Sequence, residues 1–89
     1  MSELVGFILL RGVRAAGYEE FTSVKTNYDI ARDEIAVRLD NSDGKRSVNF
    51  RIPNHLFDPL EYAREKWPDW FVRTTPENKS AFVVEERKT

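Results

Sequence analysis

Two runs of alternating apolar residues, joined through Asp43-Gly44, constrain this chain's fold more than any other feature. Within Glu34 to Pro53, Ile35, Val37 and Leu39 alternate with polar residues and Ala36, and Val48, Phe50 and Ile52 alternate with Ser47, Asn49 and Arg51. A period of two puts successive side chains on opposite faces of a strand. Asp-Gly is a dipeptide that suits a two-residue type I′ turn, whose central residues both need positive φ. With that turn, Leu39 falls opposite Val48, Val37 opposite Phe50, and Ile35 opposite Ile52. A slip of one residue would set every one of these apolar side chains on the wrong face, so the register is strongly specified.

The hairpin extends upstream. Glu20 to Ile30 reads as a strand with Val24, Thr26, Tyr28 and Ile30 on one face and Lys25, Asn27 and Asp29 on the other. A turn at Ala31–Glu34 sets Ile30 opposite Ile35 and Tyr28 opposite Val37, which makes a three-stranded meander. Ahead of it, Ser2 to Ala16 reads as a helix, with Ser2 at the N-cap and Gly17 at the C′ position. The competing reading is a buried strand from Leu4 to Leu10, because Gly6 and Gly12 each cost a helix interior about 1 kcal/mol.

Downstream, Asp58, Pro59 and Glu61 form the start of a second helix: cap, N1 proline and capping-box glutamate. Phe57 and Tyr62 occupy the two positions of a hydrophobic staple. The helix is expected from Pro59 to about Lys66, with Leu60, Ala63 and Trp67 inward, and to stop before Pro68. Trp70–Thr74 and Ser80–Glu86 read as a second hairpin about Pro76 and Asn78, and Arg87-Lys88-Thr89 as a frayed end. The expected fold is a single α+β domain over residues 1–89. Its order is α-β-β-β-α-β-β, with helices packed on a largely antiparallel sheet.

The order helix, meander, helix resembles that of double-stranded RNA-binding domains. Those domains carry a basic motif at the start of the second helix, where this chain has Asp58-Pro59-Leu60-Glu61. The chain is not assigned to that family.

Eighty-nine residues support one modest core, and with no cysteine that core must hold the fold without disulfides. Fourteen Lys and Arg against fifteen Asp and Glu leave a net charge of −1, without the basic excess of a duplex-DNA binder. The longest apolar run, Leu4–Leu10, is too short to cross a bilayer. No membrane association is expected, and a cytoplasmic location fits the absence of cysteine.

Little in the chain points to catalysis. His55 is the only histidine, and its nearest carboxylate in sequence, Asp58, is committed to the helix cap. Asp40-Asn41-Ser42-Asp43-Gly44 misses the calcium-loop pattern, since the glycine comes fifth rather than sixth and the twelfth residue is Arg51. No phosphate loop or nucleophile elbow is present, Asn78-Lys79-Ser80 reads as turn chemistry, and neither enzyme activity nor a cofactor or metal is expected.

Two features point to binding. Phe7, Leu10, Trp67, Trp70 and Phe71 are more apolar surface than one small copy readily hides, which suggests contact with a protein partner or self-association. The expected function is therefore a non-catalytic protein-interaction module, a small adaptor or inhibitor. The alternative is nucleic-acid binding by the polar face of the meander, through Lys25, Arg38 and Arg51, with Lys45 and Arg46 at the hairpin tip contacting phosphate. Asp29, Glu34 and Asp40 share that face, so salt bridging within the sheet competes with the alternative.

Overall fold

A computed structural model of the protein describes residues 2–72 and 86–88. Helix α1 spans Ser2–Ala15, and strands β1, β2 and β3 span Phe21–Asp29, Glu34–Asn41 and Arg46–Pro53. Helix α2 spans Pro59–Lys66, a single helical turn α3 spans Pro68–Phe71, and a short strand β4 spans Glu86–Lys88. The strands lie in the order β1-β2-β3-β4, every pair antiparallel. The chain is a small α+β domain with its helices packed on one face of an open sheet.

The central register is the expected one, with Leu39 opposite Val48, Val37 opposite Phe50 and Ile35 opposite Ile52. The turn differs from type I′. The Gly44 amide bonds the Asn41 carbonyl at 3.1 Å, and only Gly44 of the Asp43-Gly44 pair has positive φ, at 73°. Asp43 and Asn41 satisfy the turn instead, their side chains accepting from the amides of Lys45 and Arg46 at 3.0 Å. The apolar pairs set the register, and the turn adapts to it.

The β1–β2 register is two residues away from expectation. Tyr28 lies opposite Ile35, Thr26 opposite Val37 and Val24 opposite Leu39. The cause is Asp29, whose carboxylate accepts from the amides of Ala31 and Arg32 and starts the turn one residue earlier. Asp33 then takes the left-handed conformation at φ 53°. A shift of two preserves the faces, so the inward set survives, but Ile30 leaves the sheet and is 81% exposed.

Helix α1 is a helix, and its two glycines explain themselves by packing. A Cβ on Gly6 would stand 2.5 Å from Thr26 Cγ2, and one on Gly12 would stand 2.7 Å from Leu60 Cδ1. The missing side chains let α1 lie close on β1 at one end and on α2 at the other. The helix ends as expected, with Tyr18 N–H on the Val13 carbonyl and Gly17 N–H on that of Arg14, the paired bonds of a Schellman motif.

Asp58 caps α2 by accepting from the Glu61 amide at 3.1 Å. The staple does not form. Phe57 is fully exposed, while Tyr62 packs edge-on against Trp67 with ring centroids 6.1 Å apart. The preceding His55 has φ 65°, and after that bend Leu56 is half-buried against the core while Phe57 lies outside it.

Trp70 and Phe71, expected in a strand, form α3 after Pro68 at its first position. Adjacent strand residues face opposite sides, whereas adjacent helical residues are only about 100° apart and can both reach one core. Trp70 contacts the rings of Tyr18, Phe21 and Phe50, and Phe71 contacts Phe50 at 5.1 Å. The rest of the expected second hairpin, residues 73–74 and 80–85 with its turn at 75–79, lies outside the described residues. Arg87 and Lys88, expected to fray, pair in β4 with Ser47 and Arg46.

Candidate interaction surfaces

The outer face of the sheet is built in rows. Lys25 lies opposite Arg38 and Arg38 opposite Asn49, while Asn27, Ala36 and Arg51 form the next row. Lys25, Arg38 and Arg51 therefore do share a face. Two of them are already engaged by carboxylates. Arg38 Nε lies 3.0 Å from Asp40 Oδ1, and Arg51 lies 3.7 Å from both Asp29 and Glu34. Lys25 is exposed and has no ion-pair partner among the described residues. The other two cations do not join them. Lys45 is exposed in the β2–β3 turn, and Arg46 pairs with Glu20 and lies over the rings of Phe21 and Trp70 at 5.4 and 5.8 Å.

At the opposite end of the strands, the two left-handed residues bring polar groups together. Tyr28 Oη donates to Asp33 Oδ1 at 2.6 Å, and Asn54 Nδ2 donates to the same oxygen at 3.1 Å. These two hydrogen bonds hold the Asp33 carboxyl below the usual carboxylate range. The same bond to Asp33 raises the Tyr28 phenol, because ionisation would lose it and set two anions together. His55 Nε2 lies 3.1 Å from Asn54 Nδ2, and its expected neighbour Asp58 is bonded to the Glu61 amide. The group ties the β1–β2 turn to the β3–α2 loop, with the Asn54 amide also on the Asp33 carbonyl at 2.9 Å. Among the described residues, no group of three or more His, Asp or Glu side chains is placed to hold a metal ion.

The five apolar anchors separate into core and surface. Leu10, Trp70 and Phe71 are buried and Trp67 is half-buried against Phe50, so these four serve internal packing. Phe7 alone is exposed, at 56%, beside Val24 and Thr26 of β1. Leu4, Tyr28, Ile30, Phe57 and Val72 are exposed among the described residues and were not among the expected anchors. Leu4 and Phe57 flank a cleft of about 430 Å³ whose floor includes Val5, Ile8, Pro53 and Leu56. On its other side, Phe57 borders a shallow depression lined by Asp58, Glu61 and Glu65. Phe57 was legible only as half of a staple. Its outward placement depends on the left-handed His55, which no residue pattern announces.

No described helix is long and apolar enough to cross a membrane. Comparison with protein-family models, curated proteins and solved structures finds no match.

Proposed function

We propose that this protein is a non-catalytic interaction module that binds another polypeptide at the Phe57 cleft. The observation that carries the reading is a fully exposed phenylalanine standing between an apolar cleft and a row of carboxylates. An aromatic side chain held in water has no stabilising role in the monomer, and it makes an effective anchor once a partner covers it. Asp58, Glu61 and Glu65 suit a segment that carries Lys or Arg beside an apolar side chain. With no cysteine to oxidise, the module suits the cytoplasm.

Nucleic-acid binding by the sheet face has less support, because Arg38 and Arg51 would have to leave carboxylates to meet phosphates. Selection from a random peptide-display library tests the proposal. Enriched peptides should pair an apolar residue with Lys or Arg, should lose binding to Phe57→Ser, and should weaken as salt is raised. No enrichment, or binding indifferent to Phe57→Ser, would overturn it.

A further inference from the structure

Among the described residues, strand β1 ends the sheet. Eight of its nine residues pair on one side with β2, and from Ser23 to Asp29 no backbone hydrogen bond beyond that pairing is made among the described residues. A long, open edge is a template for another strand, and proteins blunt such edges with bulges and lysines. Here the bulge sits between Phe21 and Ser23, at the far end of the strand, and leaves the remainder regular. Cover is also short on this side. The inward Val24 and Thr26 are only half-buried, Tyr28 is 42% exposed, and Phe7 overhangs them from α1.

Lys25 is the guard expected on such an edge, yet its setting is unusual. Its cross-strand neighbour is Arg38, a like charge, and no carboxylate pairs with it among the described residues. Like charges directly opposite are unfavourable in a sheet. A carboxylate arriving from outside the edge would answer both.

The sequence of β1 supplies one when a second β1 is laid antiparallel to it. A two-fold axis at Lys25 would set two lysines together. An axis at Thr26 would set Lys25 opposite Asn27. An axis at Asn27 sets Lys25 of each copy opposite Asp29 of the other on the outer face. On the inner face the same register sets Thr26, half-buried, opposite Tyr28, which is 42% exposed. One register thus matches charge on one face and covers Thr26 and Tyr28 on the other.

We propose that this protein forms a homodimer by antiparallel pairing of β1 with β1 about Asn27, which joins the two sheets into one. The contact is separate from the Phe57 cleft and does not depend on a partner binding there.

The chain contains no cysteine, so a single introduced thiol reports the register. Asn27→Cys places two thiols directly opposite at about 5 Å between Cβ atoms, within reach of a disulfide after small adjustment. Lys25→Cys leaves its two thiols about 13 Å apart along the strands, four residues at the strand rise. The expected result is a dimer in sedimentation equilibrium at sub-millimolar concentration, with rapid disulfide capture for Asn27→Cys and none for Lys25→Cys. Lys25→Glu should weaken the dimer about tenfold by setting Glu against Asp29 twice. Within the monomer that substitution faces Arg38 and preserves the fold, which circular dichroism checks independently. A protein monomeric throughout this range, capture at Lys25→Cys instead, or a dimer unchanged by Lys25→Glu would overturn the proposal.

Discussion

Gly44 isolates backbone strain from packing. Its φ is 73°, and a Cβ built there meets nothing within 4 Å. Gly44→Val should therefore lose about 1–3 kcal/mol through conformation alone, and Gly44→Asn much less, since asparagine tolerates the left-handed region. Urea unfolding of the two variants measures the difference. Tyr28 and Asp33 make a second test, in pH. Asp33 titrates lower in the folded state, so its contribution is present above the unfolded carboxyl pKa and is lost as pH falls through the folded one. Tyr28 titrates higher, so its contribution is present below the unfolded phenol pKa, about 10, and is lost as pH rises through the folded one. Tyr28→Phe should remove the alkaline loss and reduce the acid one, as read from melting temperature against pH. Ile30 and Phe57, which sequence misplaced, each lie within three residues of a left-handed residue that is not glycine. Asp33 closes the turn that Asp29 starts and His55 precedes Phe57, and nothing in their neighbours' polarity reveals either conformation.

At the scale of elements, the two glycines of α1 invert the usual propensity argument. Gly6→Ala should gain about 1 kcal/mol of helix propensity, yet the new methyl would stand 2.5 Å from Thr26 Cγ2. Thr26 is β-branched and confined to a strand, so it yields little. The net effect should be a loss of roughly 1–2 kcal/mol, and Thr26→Ser, which removes that methyl, should recover part of it in the double variant. Thermal melts of the four proteins in that cycle decide. The same residues show why α1 was readable only in part. A glycine's propensity cost is visible in sequence, but the strand it lies against is not. The β2–β3 pairing was readable in full, because three apolar pairs repeat the same constraint. Trp70-Phe71 was read as a strand because the turn residues Pro76 and Asn78 suggest a hairpin, while Pro68 had already set the first residue of a new helical turn.

For the molecule as a whole, the core was legible as a set of apolar faces, and the proposed interaction surface was not. Large aromatic residues look alike in sequence whether they fill a core or await a partner. Trp70 stands among Tyr18, Phe21 and Phe50, whereas Phe57 stands in water two residues after the left-handed His55. The meander also carries a consequence for time rather than for shape. Strands β1, β2 and β3 each pair with the neighbour in sequence through a short turn, so most of the sheet forms at a low cost in loop closure. Among the described strands, only β4 must return from far along the chain, Glu86 to Val48. Its docking should follow the rate-limiting barrier. A chain ending at residue 85 should therefore refold at nearly the rate of the full chain and unfold faster, one limb of its chevron displaced and the other left in place. Stopped-flow fluorescence of Trp67 and Trp70 would follow both limbs. Such a protein would acquire its lifetime, rather than its speed of formation, from its last strand.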